Sequence, residues 1–340
     1  AMREFKPRVL SDVREICFWS FHRASADVWS NKKRMARIRC GFASAAFYEK
    51  LAPLVVRHVS EIPPITAVYL MWSYSKGKVY NQEVFDRVSE HVGGAVQDLD
   101  RCGLTMHAWN YAFIGATTPV VYDQVAEDAL RPERMAEMAP RDVSGVAWAF
   151  AKAGVQNEPL MRGLARHAVG LLKDGLAQQC YNGPTKSLAR DVYVDDFSAS
   201  GGAVDAFDMV SLSDMLFALE KLQYVDEEFN ELCVEYMTKG LQQSRFRAQR
   251  FIRFPQILVK CLQGIAQFPV RKGQLFEAAA THCLWHLESL DLKHTARLLF
   301  AWALSGPRDP WLLEAFDGRL RKLLKSRGLE GLPAEDAANL

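Results

Sequence analysis

Apolar residues along much of the chain recur with helical spacing. In the segment 141–154 (RDVSGVAWAFAKAG) they stand at i, i+3, i+4, i+7 and i+8, which is one face of an α-helix: Val143, Val146, Ala147, Phe150 and Ala151. Gly154 follows at the point where helices often end in a left-handed residue. The pattern predicts a helix here that is buried along one face.

The centre of this helix is an aromatic-small-aromatic triplet that recurs along the chain. Its copies are Trp19-Ser20-Phe21, Trp72-Ser73-Tyr74, Trp109-Asn110-Tyr111 and Trp148-Ala149-Phe150, with the variants Phe217-Ala218-Leu219 and Phe300-Ala301-Trp302. Three copies are separated by 37 and 39 residues, a period typical of a repeated helix pair. We interpret the tryptophans as core residues of the repeat and not as a stacking platform.

A residue of helix N-cap type stands nine positions after five of the triplets: Asn81, Thr118, Asn157, Asp226 and Asp309. Apolar residues follow three to four positions later, which predicts a second amphipathic helix in each repeat. The 83 residues between Phe217 and Phe300 leave room for a degenerate unit. We expect its anchor at Gln263 and its second-helix pair at Leu275-Phe276.

The sequence therefore predicts an all-α fold, an α-α superhelix (solenoid) of about seven helix-turn-helix repeats of about 38 residues. Such units share one continuous core with their neighbours. We expect a single α-solenoid repeat domain over 1–328, with insertions at about 24–42 and 177–207, and a short acidic tail over 329–340.

The phrase DVSGVAWAFAKAGVQNEPLMRGLA resembles the octotricopeptide and heptatricopeptide repeats of organellar proteins, which also occur before RAP domains. The resemblance covers roughly residues 8–328, and we expect no RAP domain after Arg327. It implies an RNA-binding helical-repeat protein of the mitochondrial matrix or, alternatively, of the plastid stroma. It also implies a place in an organellar ribosome or another ribonucleoprotein.

Charge restricts where RNA could bind, because 42 Lys and Arg against 40 Asp and Glu leave a net charge of only +2. Contacts must come from local clusters. The first cluster interleaves arginines with phenylalanines in 244–255, a pattern suited to phosphate pairing and base stacking: Arg245, Arg247, Arg250 and Arg253. The second lies in the first insertion: Lys32, Lys33, Arg34, Arg37 and Arg39. The third lies in the last helix: Arg319, Arg321, Lys322, Lys325 and Arg327, of which we expect Arg321, Lys322 and Lys325 to contact RNA. The alternative interpretation of each cluster is that its charged side chains are only exposed to solvent.

Motifs for other chemistry are not evident in the sequence. Seven cysteines without a CxxC pair indicate free thiols in a reducing compartment. His282 and His286 are four residues apart but lack an HExxH glutamate and a further ligand pair, so we expect no metal site.

Without a Walker loop, a GxGxxG turn or a nucleophile elbow, we expect no enzyme, cofactor or small-molecule substrate. No apolar run reaches bilayer length, so we expect no membrane insertion.

Two functional hypotheses remain at this level. The first is a structural component of an organellar ribosome or ribonucleoprotein that contacts RNA, either ribosomal RNA or an organellar transcript, together with other protein subunits. The second is a protein–protein scaffold subunit of a large organellar complex without RNA contact, which the small net charge and the long insertions favour.

Overall fold

The computed structural model describes residues 45–180, 207–243 and 254–327, apart from 117 and 306–308, together with the single residues 248 and 252. Within these residues the chain forms fourteen α-helices and three short 3-10 helices, with no β-strand. The predicted all-α fold is confirmed. The chain groups into two compact units, whose described parts comprise residues 45–160 and the described residues from 161 onward.

The first unit consists of helix pairs, so that the first and the second helix of each pair alternate along the chain. They are α1 (Ala45–His58), α2 (Pro64–Lys76), α3 (Gln82–Gly93), α4 (Arg101–Ile114), α5 (Pro119–Ala129), α6 (Pro132–Glu137), α7 (Pro140–Ala153) and the start of α8 (Glu158–Cys180). The first helices of the pairs stack in order, α2 on α4 and α4 on α7. The second helices stack likewise, α1 on α3 and α3 on α5. This is the packing of a helical-repeat solenoid.

The second unit continues the same scheme. After α8 come α9 (Met209–Lys221), α10 (Glu227–Leu241), α11 (Pro255–Ala266), α12 (Gly273–His286), α13 (Leu292–Ser305) and α14 (Pro310–Arg327). Here α9 packs on α11 and α11 on α13, while α10 packs on α12 and α12 on α14. The degenerate unit is confirmed as the pair α11 and α12: Gln263 lies in α11, and Leu275 and Phe276 are fully buried in α12.

The predicted N-caps form in four of five cases. Side-chain oxygens accept backbone N–H groups from the first turn of the second helix: Asn81 from Val84 at 3.1 Å, Asn157 from Leu160 at 3.0 Å, Asp226 from Phe229 at 2.9 Å and Asp309 from Trp311 at 3.0 Å. Thr118 occupies the N-cap position of α5, but its side chain makes no capping bond there. Pro119 begins that helix instead and has no N–H to satisfy.

This difference predicts unequal effects of two equivalent substitutions in the first unit. Asn81→Ala removes a real capping bond and is expected to lower the free energy of unfolding by about 1 kcal/mol. Thr118→Ala removes none and is expected to change it by less than about 0.5 kcal/mol. Urea unfolding of both variants measures the two values. Equal losses would show that the Asn81 bond does not stabilise α3.

The first helices end in different ways. Gly115 and Gly154 follow α4 and α7 with left-handed φ angles of 78° and 71°, as predicted for Gly154. At the end of α11, the Lys272 ammonium donates to three backbone carbonyls, those of Ile265 at 3.3 Å, Ala266 at 2.7 Å and Phe268 at 2.6 Å. Partial burial lowers the pKa of Lys272. In this repeat a lysine therefore satisfies the carbonyls at the end of the helix.

The aromatic core of the repeat is built by the third residue of the triplet. In the first unit this ring meets an aromatic ring of the preceding second helix: Tyr74 with Tyr48 at 4.6 Å, Tyr111 with Phe85 at 5.2 Å and Phe150 with Tyr122 at 5.2 Å between centroids. Trp302 meets Phe276 in the same way in the second unit, at 5.1 Å. The hydroxyls of Tyr74 and Tyr111 also donate to the backbone carbonyl of their partner residue, at 3.0 and 2.7 Å.

The first residue of the triplet lies outside this buried aromatic core, which corrects the prediction that the tryptophans are core residues. Trp72, Trp109 and Trp148 are only half-buried, whereas the aromatic residue two positions later is fully buried in each copy. Trp19 lies outside the described residues. Residues two apart are about 200° apart around a helix axis, so both cannot face the same neighbour.

Candidate nucleic-acid interface

Two of the three predicted basic clusters lie outside the described residues and stay predictions. One is the arginine and phenylalanine segment with Arg245, Arg247, Arg250 and Arg253. The other is the first-insertion cluster with Lys32, Lys33, Arg34, Arg37 and Arg39.

The third predicted cluster lies on α14, where carboxylates accompany two of its cations. The Arg321 guanidinium donates to Asp317 at 2.6 Å, and this hydrogen bond raises the pKa of Arg321. The Lys322 ammonium lies 3.6 Å from Glu288, and Lys325 is exposed. The three side chains therefore share a helix, but their local charge is partly neutralised.

Arg319 of the same cluster has a structural role. Its guanidinium donates to the Glu288 carboxylate at 2.6 Å and to the backbone carbonyls of Glu288 and Leu290 at 2.7 and 3.0 Å. These carbonyls belong to the 3-10 helix Leu287–Ser289 and to the residue after it, so Arg319 holds α14 against the connection that precedes α13.

A second candidate surface, which the sequence did not predict, lies on the first helices of the first unit. Trp72, Trp109 and Trp148 occupy the same position in α2, α4 and α7, and we call them the tryptophan ladder. The Trp109 and Trp148 rings are stacked, with centroids 5.9 Å apart and planes at 24°. Trp109 is also stacked on Phe113, at 4.4 Å and 18°. The side of α2, α4 and α7 that carries these rings is the first-helix face.

Lys76 places a positive charge among the rings. Its ammonium lies 5.8 Å from the Trp72 centroid, 5.3 Å from that of Trp109 and 5.9 Å from that of Phe113, which is cation–π distance. Lys76 stands four residues after Trp72, and Lys152 stands four residues after Trp148, where it is exposed. A four-residue spacing puts each lysine on the same side of its helix as the tryptophan.

In the part of the first unit that the structure describes, the first-helix face carries no exposed carboxylate. Helices α2 and α4 contain no Asp or Glu, and α7 contains only Asp142. Asp142 is 3% exposed, pairs with Arg101 of α4 and also accepts the backbone N–H of Ala139 at 3.0 Å. Burial raises the pKa of Asp142, against the lowering effect of Arg101. Besides Arg101, these helices contain the cations Lys76, Arg141 and Lys152, so their net formal charge is positive.

Two of the second helices of the same unit, α3 and α5, carry the opposite charge. Helices α3 and α5 together contain one arginine, Arg87, against six carboxylates: Glu83, Asp86, Glu90, Asp123, Glu127 and Asp128. Only Asp128 of these is buried, and it pairs with Arg131 at 2.9 Å and Arg134 at 2.7 Å. The carboxylates that stay accessible repel a polyanion from this side.

One sequence signal could have revealed the tryptophan ladder. The degenerate repeat has Gln263 where the other repeats have an aromatic residue, and its helix pair still folds and packs. A position that accepts a polar residue without loss of the repeat is not required for the core. The third residue of the triplet, by contrast, is apolar in every copy.

The cysteines and His282 are the other groups of the described residues that could carry chemistry. Cys102, Cys233, Cys261 and Cys283 are free thiols, and burial raises the pKa of Cys233 and Cys283 to about 12, which makes them poor nucleophiles. His282 Nε2 lies at hydrogen-bond distance, 3.1 Å, from the Leu241 carbonyl oxygen. Within the described residues, no group of His, Cys, Asp and Glu side chains could hold a metal ion.

Comparison with known proteins finds no protein-family model and no curated protein that matches this chain. In the part of the chain that the structure describes, no helix is both long and apolar enough to cross a lipid bilayer.

Proposed function

We propose that this protein is a non-catalytic RNA-binding helical-repeat protein. The observation that carries the proposal is the charge separation in the first unit. Among the described residues, helices α2, α4 and α7 carry Lys76, Arg141 and Lys152 but no exposed carboxylate, while α3 and α5 are rich in carboxylates. A net charge of +2 is too small for general adhesion to nucleic acid, but a local cationic face is sufficient for phosphate contacts.

The resemblance of the repeat to octotricopeptide-type sequences extends the proposal. It supports an organellar ribonucleoprotein of the mitochondrion or plastid, with a ribosome as the first candidate and ribosomal RNA or an organellar transcript as the ligand. Other protein subunits would contact surfaces that do not bind RNA, and the acidic helices α3 and α5 suit basic partners.

The proposal predicts a change in the salt dependence of RNA binding. The variant Lys76→Ala/Lys152→Ala is expected to weaken binding of a single-stranded RNA of about 20 nucleotides and to flatten its plot of log affinity against log salt by about 1 to 1.5. Each lysine that no longer neutralises a phosphate contributes about 0.7 to that slope. Filter binding or fluorescence anisotropy over a series of potassium chloride concentrations measures the slope.

A matched control comes from the second-helix positions of the same unit. Lys50 and Arg87 are exposed cations on α1 and α3, so the variant Lys50→Ala/Arg87→Ala removes the same charge from the other side. Its slope should equal that of the wild type. An equal effect of both variants contradicts a specific face, and the absence of RNA binding at low salt rejects the proposed function. In that case co-purification of polypeptides without RNA favours the protein scaffold.

The predicted arginine cluster is testable in the same assay. Replacement of Arg245, Arg247, Arg250 and Arg253 by alanine flattens the salt slope only if that segment contacts phosphates.

A further inference from the structure

The residue just before the aromatic triplet packs against the next first helix. Leu216 of α9 shows this contact, because a Cβ atom added at Gly264 of α11 would lie only 2.9 Å from the Leu216 Cβ. This position is fully buried in the first helices on which another described first helix stacks in the same unit: Met71, Ala108, Leu216 and Leu262. In α13 it holds Leu299, which is only half-buried, and Ala303 just after the triplet is exposed. No described helix therefore covers this side of α13.

The second helix of the same pair is open in the same direction. In the preceding repeat, the fourth residue after the N-cap meets the third triplet residue of the next first helix, as Phe276 of α12 meets Trp302 of α13. Leu313 has this position in α14 and is only half-buried. We call Leu299, Ala303 and Leu313 the end face. Because it is apolar and ends the described stack, it needs a covering element with a polar outer side.

A sequence pattern marks the connections between repeats. Three connections have apolar residues at positions 1, 4 and 12 of a twelve-residue stretch that runs into the following first helix: Val59, Ile62 and Leu70, then Met135, Met138 and Val146, then Leu287, Leu290 and Leu298. A fourth, with Val96 and Leu99, differs only in His107 at the last position. Residues 329–340 repeat the pattern with Leu329, Leu332 and Leu340, and five of the twelve are identical to residues 287–298 without a gap.

We propose that residues 329–340 cover the end face, as a connection followed by the first turns of another first helix. Leu287 comes directly after α12, and Leu329 comes two residues after α14, so both segments start at the equivalent point of the repeat. The three leucines have the register that buries their equivalents after α12, and the polar residues between them supply the outer side. This inference concerns the second unit alone and does not depend on RNA binding.

Hydrogen exchange of the full chain tests the proposal. Amides within 329–340 are expected to exchange at least about tenfold more slowly than those of the same segment as a free peptide. Leu332→Asp should remove this protection, because the equivalent Leu290 is 2% exposed and burial of a carboxylate is strongly unfavourable. Peptides from α13 should exchange faster in the same variant, since the end face loses its cover. Mass spectrometry of the peptides measures both effects.

Gly331→Asp is the matched control. It adds the same charge one residue earlier, where the equivalent residues of the four described connections are exposed: Glu61, Asp98, Glu137 and Ser289. The protection of 329–340 should not change in this variant. Equal losses in Leu332→Asp and Gly331→Asp contradict the register and overturn the proposal.

A second pair of variants acts from the end face itself. Ala303→Glu places a carboxylate on the end face at a residue that is exposed, so α13 should fold as in the wild type while 329–340 loses its protection. Leu304→Glu adds the same charge at the next residue, which is 52% exposed and lies about 100° further around the helix axis. It should leave the protection intact. Circular dichroism verifies both folds, and this pair decides the question if Leu332→Asp does not fold.

Other occupants of the end face give different results. Exchange of 329–340 at the free-peptide rate in the wild type overturns the proposal. Light scattering then identifies the alternative: a dimer that Ala303→Glu dissociates assigns the end face to a second copy of the chain. Loss of protection in Leu304→Glu as large as that in Ala303→Glu also overturns the proposal, because the segment would then lie elsewhere on α13.

Discussion

Replacing Phe150 by alanine is expected to lower the free energy of unfolding of the first unit by about 3–5 kcal/mol. The Phe150 side chain is fully buried in α7, and its ring meets that of Tyr122 edge to face, at 5.2 Å between centroids and 81° between planes. The substitution removes this contact and leaves a cavity that the packed helices close only in part. Urea unfolding combined with hydrogen exchange of peptides within 101–153 measures the loss.

Trp148 on the same helix is the control. It is the larger side chain, but it is half-buried, so water fills the space that Trp148→Ala vacates and no closed cavity forms. We expect a loss of about 1–2 kcal/mol for this variant. A loss at Trp148 as large as that at Phe150 contradicts the assignment of the core to the third residue of the triplet.

Acidification is expected to destabilise the first unit by about 3 kcal/mol through His107. Its side chain is fully buried in α4, and neither ring nitrogen has a hydrogen-bond partner among the described residues. Burial lowers the pKa of His107 from 6.5 to about 4. The folded state therefore keeps the ring neutral, while the unfolded chain takes up a proton below pH 6.5. The contribution is fully present above pH 6.5 and is lost as the pH falls towards 4.

The variant His107→Leu isolates this effect. It replaces two buried, unbonded nitrogen atoms by apolar groups, so it is expected to be at least as stable as the wild type at neutral pH. Other acid-titrating groups, Asp142 included, are common to both proteins, and their contributions cancel in the comparison. Urea unfolding at several values between pH 7 and pH 4 should give curves that diverge as the pH falls. Parallel curves contradict the role of His107.

Much of the fold could be predicted from the sequence because burial imposes a regular spacing on each helix. The triplets and N-caps identified the described helix pairs, and the count from them located α11 and α12 even though Gln263 is not aromatic. The short helix α6 was not predicted, since its six residues are too few for a periodic pattern. The failure of Thr118 to form a capping bond depends on side-chain geometry and is likewise not visible in the sequence.

The candidate site was less predictable. Cationic clusters are visible in the sequence as runs of arginine and lysine, so the predicted contacts fell on such runs. The first-helix face has only Lys76, Arg141 and Lys152, which are far apart along the chain. Their effect depends on the carboxylates that are missing around them and on the rings that stack beside Lys76. Both features arise only where the helices pack together, so the sequence does not show them.

The repeated pairs of amphipathic helices can be predicted from the amino-acid sequence alone, because the periodicity of apolar residues and the N-cap residues are local properties. Which ring of each triplet is core and which lies at the surface depends on how the helices pack. Trp148 and Phe150 lie about 200° apart around the α7 axis, so packing against neighbouring helices buries one and leaves the other half-exposed. The same packing separated a cationic, aromatic face from the acidic helices α3 and α5 in the first unit.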